Sequence, residues 1–200
     1  MSFTAKQLRL LKSLNTPRKI TDFVEKLDYN LEENGDTAFS PIQVLEKRKA
    51  HCLEAAVFAA CAFKINKKPA LLMDLRAVRD EDHVLCVYKQ DGRWGCIAKS
   101  KFTGLSSRDA VYSSLRELAM SFFSDYYNYA GEKTLREYSK PINLSRFPDW
   151  MTTLNGVDFI ADYLDSVKHY SLINKKTERN LTRVKGKYFK AGLVDTPKKT

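Results

Sequence analysis

The segment that most constrains the fold is a slim, apolar stretch from Cys52 to about Phe63, which three strand-like stretches follow directly. It is apolar nearly all round and contains five alanines. A helix without a polar face has to be covered on every side. Small side chains also let its neighbours approach closely. We therefore predict a helix at the centre of the fold, with the other elements packed around it.

Three strands are predicted after this helix, at residues 69–76, 83–88 and 93–99. Asp91 and Gly92 lie between the last two, and Asp-Gly is a strong signal for a two-residue hairpin because both positions take positive φ. No helical stretch separates the strands, which favours an antiparallel sheet over alternating βαβ units. The predicted class is α+β, with the Cys-bearing central helix packed on a small antiparallel sheet.

Further helices are predicted on both sides of this core. Ser40 and Pro41 form a typical helix start, with Ser as the N-cap and Pro in the first helical position. Residues 134–147 are expected to be irregular or extended, and Gly131 is expected to end the helix before them. The predicted surrounding helices are 4–14, 17–27, 41–48, 111–127 and 157–167, and a short strand is predicted at 169–173.

The length and composition fit one domain with its own core. The chain has 200 residues, 44% of them hydrophobic, and no apolar run reaches the length of a membrane span. Its four cysteines include no C-x-x-C pair, which argues against a structural zinc site. Three of them lie in apolar stretches, as free thiols do, which favours a reducing compartment, most simply the cytoplasm. We expect a soluble protein with no cofactor and no metal.

The basic charge is concentrated at the C-terminus. Residues 173–200 contain nine basic and two acidic residues, so most of the net charge of +10 belongs to them. We predict a single domain over residues 1–172, followed by a basic C-terminal tail over 173–200. A solvated terminal segment is one interpretation of this tail. A weak contact of residues 174–200 with nucleic acid or another anionic partner is the other.

Cys52 and His83 are the candidate catalytic residues. Cys52 is expected at the start of the central helix, where the helix dipole and the basic residues upstream stabilise a thiolate. His83 opens a strand 31 residues later. A thiolate can attack a carbonyl carbon while an imidazole takes and returns the proton. Cys61 and Cys86 are expected to face away from this pair.

The stretch from Ser40 to Leu105 resembles the transglutaminase-like, papain-related cysteine superfamily. The sequence AHCLEAA around Cys52 is similar to the G-x-C-x-(D/E)-x-A context of that family's nucleophile. His83 and Trp94 follow in the family's order, on a strand and after a hairpin. The resemblance implies a papain-like core over about residues 40–105. It also implies hydrolysis or acyl transfer on a peptide or amide-containing substrate, through a thioester on Cys52 with His83 as acid and base.

One departure from the family pattern concerns the third catalytic residue. The family's Asp usually lies four residues past the Trp, and that position is Ala98 here. Ser100, which faces His83 if the hairpin loop has two residues, is one candidate to orient the imidazole, and Asp74 is another. The alternative is a catalytically inactive binding protein of the same type, which contacts an anionic partner through its tail.

Two neighbours of Cys52 are expected to have structural roles. Glu54 lies two residues further along the helix, about 200° round it at the ideal helical spacing. It is therefore expected to be a structural partner rather than a catalytic acid. His51 precedes the thiol and is expected to cap the helix, with modulation of Cys52 as the other interpretation.

Overall fold

The chain folds into the predicted α+β arrangement. The computed structural model describes residues 2–33, 35–194 and 196. The helices are α1 (Ala5–Ser13), α2 (Pro17–Glu25), α3 (Pro41–Lys47), α4 (Cys52–Ile65), α5 (Leu115–Met120), α6 (Asp158–Ser166), α7 (Lys175–Arg179) and α8 (Gly186–Gly192). The strands are β1 (Asp28–Tyr29), β2 (Lys49–Ala50), β3 (Leu71–Ala77), β4 (His83–Gln90), β5 (Arg93–Ile97), β6 (Arg108–Tyr112), β7 (Leu135–Ser139), β8 (Ile142–Asn143) and β9 (His169–Ser171). Among these described residues, no helix is long and apolar enough to cross a membrane.

The main sheet is antiparallel and is built around the predicted meander. Its strand order is β6-β5-β4-β3-β7-β9, and β8 also pairs with β3. The hairpin between β4 and β5 has the predicted two-residue loop, since Gln90 pairs with Arg93. Asp91 and Gly92 have φ values of 49° and 78°, as such a loop requires. The short strands β1 and β2 form a separate parallel pair.

Helix α4 lies at the centre of the fold, as its composition predicted. Every residue from Leu53 to Phe63 is buried. Helices α1, α2 and α3 pack around it, and its remaining side lies on β3, β4 and β5. The alanines of α4 permit this coverage from several directions, because they add little bulk between the helix axis and its neighbours.

The sheet separates two apolar layers, because successive side chains of a strand point to opposite faces. Leu72, Cys86 and Ile97 belong to the layer that contains α4. The second layer lies on the other face under α5 and the loop that follows it. Its strand residues are Met73, Leu85, Val87, Cys96 and Ala98.

The predicted helix over 111–127 was wrong, whereas the other predicted elements agree with the structure to within two residues. Val111 belongs to the edge strand β6 and is 62% exposed. Ser114 then starts the short helix α5, and its side chain accepts a hydrogen bond from the Glu117 N–H. The buried Leu118 and Phe122 produced the helical spacing, but the chain turns after α5. Gly131 therefore ends no helix and lies in a turn, with its N–H bonded to the Asn128 carbonyl.

The segment after residue 172 packs on the rest of the domain along much of its length. Arg136 of β7 donates to Glu178 of α7 at 3.0 Å. The Tyr127 hydroxyl donates to the Tyr188 carbonyl of α8 at 3.2 Å, and Val184 is buried. Residues 195 and 197–200, at the end of the predicted basic tail, lie outside the described residues.

Candidate active site

Cys52 is the first residue of α4, and the preceding turns fix its position. Helix α3 ends at Lys47, and its C-cap residue Arg48 has a φ of 58°, in the left-handed region. Residues Lys49 and Ala50 then pair with Asp28 and Tyr29, and Ala50 is fully buried. The thiol of Cys52 is half-buried, whereas the other three cysteines are buried.

A buried carboxylate fixes the start of α4. Glu54 has no exposed surface, yet donors surround it on several sides. It accepts hydrogen bonds from the N–H groups of His51 and Phe39, both at 2.8 Å. The Thr37 hydroxyl and the Asn30 amide also donate to it, at 2.9 and 3.0 Å. This confirms the structural role predicted for Glu54, which ties residues 30–39 to the end of the helix that carries the thiol.

His83 opens β4 with its ring buried beside the thiol. Its Nε2 lies 3.0 Å from the Leu105 carbonyl oxygen. The ring also meets Phe122 and Tyr126 edge-on, at centroid distances of 6.2 and 6.4 Å. With Nε2 bonded to the carbonyl, Nδ1 is the nitrogen available to exchange a proton with Cys52.

The neighbouring imidazoles distinguish Cys52 from the other thiols. Burial raises the pKa of Cys52, but hydrogen bonds with His51 and His83, together with their charges, outweigh burial and lower it to about 5. Burial raises the pKa of Cys96 to about 12 and also raises the pKa of Cys61 and Cys86. At neutral pH Cys52 is therefore the one thiolate among the four cysteines.

The two predicted orienting side chains have other partners. Ser100 lines the same cavity as His83, but its Oγ accepts a hydrogen bond from the Phe102 N–H at 3.0 Å. The Leu105 carbonyl orients His83 in its place. Asp74 lies 3.1 Å from Nε2 of His169, and both side chains are almost completely buried. Among the described residues, neither Ser100 nor Asp74 forms a hydrogen bond with His83.

Ala98 lies in an apolar setting that does not favour a carboxylate. Its side chain belongs to the layer of the sheet that faces away from α4. Its backbone N–H donates to the Ser107 hydroxyl at 3.1 Å. Position 98 is therefore filled by core packing, and a backbone carbonyl holds the imidazole.

His51 is a further component of the site; the sequence favoured a capping role for it and left modulation of Cys52 as the alternative. Its Nδ1 is 4.0 Å from the Cys52 sulfur. Its Nε2 is 2.9 Å from the Thr37 carbonyl oxygen, 3.4 Å from Glu54 Oε1 and 3.7 Å from Glu32 Oε1. The sequence does contain a signal for this arrangement, because a glutamate three residues after an N-cap is the spacing of a capping box.

The thiol and His83 share a narrow cavity of about 30 Å³. Such a volume holds about one water molecule, so it admits a small reacting group rather than a whole bulky ligand. The lining residues are Tyr29, Cys52, Asp80, Glu81, Asp82, His83, Ser100, Lys101, Phe102, Leu105, Tyr126 and Tyr127. Cys52 and His83 therefore face one small shared space.

The carboxylates of Asp74, Asp82 and Asp165 bring oxygen atoms within 4.8 Å of one another. Basic and polar side chains already contact all three. Arg76 lies 4.0 Å from Asp82 and 3.5 Å from Asp165, and His169 Nε2 lies 3.1 Å from Asp74. This cluster is a network of ion pairs and hydrogen bonds at the end of β3.

Comparison of the chain with models of known families and with curated proteins found no match.

Proposed function

We propose that this protein is a thiol enzyme of the transglutaminase-like type, which hydrolyses an amide or peptide bond or transfers its acyl group. The observation that carries the proposal is that the Cys52 thiol, with a pKa of about 5, shares a narrow cavity with the His83 ring. A low-pKa cysteine paired with an imidazole in a cleft is a frequent feature of functional sites.

The proposed reaction proceeds in two steps. The Cys52 thiolate attacks the carbonyl carbon of the substrate, and the tetrahedral intermediate collapses to a thioester as the amine leaves with a proton from His83. Water or a second amine then attacks the thioester, gives its proton to His83, and releases the thiolate. The Cys52 backbone N–H, at the start of α4, is a candidate donor to the oxyanion of both intermediates.

The proposal is tested by alkylation of the native protein with iodoacetamide across a range of pH, with peptide mapping of the label. We expect Cys52 to react first, with a midpoint near pH 5, because only a thiolate is nucleophilic and its pKa is about 5. Reactivity should fall as the pH drops through this value and the thiolate is protonated.

Cys61, Cys86 and Cys96 serve as internal controls in the same sample, since they are buried and burial raises the pKa of each. Labelling of all four thiols at similar rates, or a Cys52 midpoint near about 8.5 as in a free cysteine, would contradict the proposal.

A second candidate function is binding of an anionic partner by a catalytically inactive protein. The observation that favours it is a group of three exposed lysines, Lys185, Lys187 and Lys190, on and beside α8. No acidic partner within salt-bridge distance is found for them among the described residues.

Replacement of these three lysines by glutamine is expected to weaken binding to a DNA duplex. The magnitude of the slope of log affinity against log salt concentration should decrease by about one for each lysine that contacts a phosphate. Fluorescence anisotropy at several salt concentrations measures the affinity and hence this slope. The matched control replaces Lys6, Lys12 and Lys26, which are also exposed. An equal loss of DNA affinity in both triple variants would mean that only the net charge of the protein matters, and it would argue against a binding site in the tail.

A further inference from the structure

The Cys52 sulfur has two imidazole neighbours, and the fold holds them in different ways. His51 is anchored away from the thiol, with its Nε2 2.9 Å from the Thr37 carbonyl oxygen and 3.4 Å from Glu54 Oε1. Its Nδ1 points to the sulfur at 4.0 Å. The His51 side chain is only 13% exposed, so water competes little for these contacts.

His83 occupies the other side of the thiol. It lines the cavity together with Cys52, whereas His51 does not line it. The leaving group of a substrate bound at Cys52 would therefore meet the His83 ring, and His51 would remain behind the sulfur.

The surroundings of the two rings also differ in charge. Glu54 and Glu32 lie 3.4 and 3.7 Å from His51 Nε2, and carboxylates at this distance stabilise an imidazolium. His83 has a neutral carbonyl, that of Leu105, as its partner at Nε2. Burial lowers the pKa of His51, but the hydrogen bond with Cys52 and the charges of Cys52 and Glu54 outweigh burial and raise it to about 9.

We infer that His51 is the permanent counter-ion of the Cys52 thiolate, a positioning residue, and that His83 is thereby left to carry the catalytic proton. The inference rests on the proposed thiol chemistry. In a simple dyad one imidazole both stabilises the thiolate and protonates the leaving group. Here the proton can move from His83 to the leaving amine while His51 keeps its charge, and the thiolate released by thioester hydrolysis returns to a cation already in place.

The remaining groups near the sulfur do not supply this positive charge. Burial raises the pKa of Tyr29 of β1 and of Tyr126, and the charge of the Cys52 thiolate raises it further, so both stay neutral. Lys101 lines the cavity but pairs with Glu81 at 3.1 Å. Apart from the end of the α4 dipole, His51 and His83 are the groups that lower the pKa of the thiol.

The test compares the pH dependence of Cys52 alkylation in the wild type, His51→Gln and His83→Gln. Removal of an adjacent positive charge changes a pKa by about 1 to 3 pH units, so we expect His51→Gln to raise the midpoint by at least about one unit. His83→Gln should also raise it, because the His83 ring is the second group that lowers the pKa of Cys52. The amide introduced by His51→Gln can still donate to the Thr37 carbonyl, and circular dichroism checks that each variant is folded. His51→Asn, which keeps a favourable N-cap, replaces His51→Gln if that variant does not fold.

The matched control is His169→Gln, because the His169 ring bonds to Asp74 and not to the thiol. In this variant the midpoint of Cys52 alkylation should equal that of the wild type. A raised midpoint in His83→Gln with none in His51→Gln would overturn the inference in favour of a simple Cys52–His83 dyad. If the midpoint of Cys52 alkylation stayed near that of the wild type in both His51→Gln and His83→Gln, the helix dipole alone would account for the thiolate, and the inference would be overturned. In both results the proposed function stands. A wild-type protein whose Cys52 is not selectively alkylated would overturn the proposed function, and this inference with it.

Discussion

Replacing Glu54 with alanine is expected to lower the free energy of unfolding by about 3–5 kcal/mol, the cost of breaking a buried charged network by removing one partner. The carboxylate is fully buried and accepts hydrogen bonds from the N–H groups of His51 and Phe39, the Thr37 hydroxyl and the Asn30 amide. Alanine would leave the N–H groups of His51 and Phe39 without an acceptor. Since a domain is stable by only about 5–15 kcal/mol, the variant should be close to unfolding.

Urea denaturation followed by circular dichroism measures this loss. The matched control is Glu46→Ala, which removes an exposed carboxylate from the neighbouring helix α3 and should change stability by no more than about 0.5 kcal/mol. Glu54→Gln keeps the volume but turns an NH₂ group toward donors, so its stability should lie between those of alanine and the wild type. If Glu54→Ala were as stable as the control, the start of α4 would not depend on this network.

The sequence was most informative where local chemistry determines structure. The Asp91-Gly92 loop, the Ser40-Pro41 helix start and the apolar α4 segment each gave the right element, because a turn, a cap and a fully buried helix follow from a few neighbouring residues. The sequence misled at 111–127. There Val111 fell into a helical spacing with Leu118 and Phe122 although it belongs to an edge strand.

The site was predicted less completely, because the surroundings of His83 and His51 depend on contacts between segments that are distant in the sequence. The expectation that an oriented imidazole needs a side-chain partner directed attention to Ser100 and Asp74. Instead, the backbone carbonyl of Leu105 holds His83, and a backbone oxygen leaves no trace in residue types. The environment of His51 likewise depends on residues 30–39, and their approach to α4 could not be read from the sequence.

A thiolate at Cys52 does not require a carboxylate beside His83. Ala98 supplies none, and the Leu105 carbonyl holds the His83 ring. Glu54 lies 3.4 Å from Nε2 of His51, on the other side of the sulfur from the cavity. Ionisation of the thiol and orientation of His83 are therefore supported by separate groups, and the proposed activity does not depend on an aspartate at position 98.

Substitutions of Cys52 and His83 are expected to have the largest effect on activity. The assay is the hydrolysis of p-nitrophenyl acetate, whose small acetyl group suits a narrow cavity. The wild type should release a burst of one p-nitrophenolate per protein as Cys52 is acetylated, followed by slower turnover. Cys52→Ala should show no burst. His83→Gln should still be acetylated, because the thiolate persists. Its steady-state turnover should fall by about 10²–10⁴-fold, the usual contribution of general acid–base catalysis.

The pH dependence makes this assay specific to the thiolate. With a pKa of about 5 at Cys52, the rate of the burst should be constant near neutral pH and fall as the pH drops through 5, because protonation removes the nucleophile. His169→Gln serves as the control and should keep both phases. A burst that survives in Cys52→Ala would identify another nucleophile. A wild-type protein without a burst, but with Cys52 alkylated selectively, would mean that the ionised thiol does not react with this ester, and would favour the binding function over catalysis.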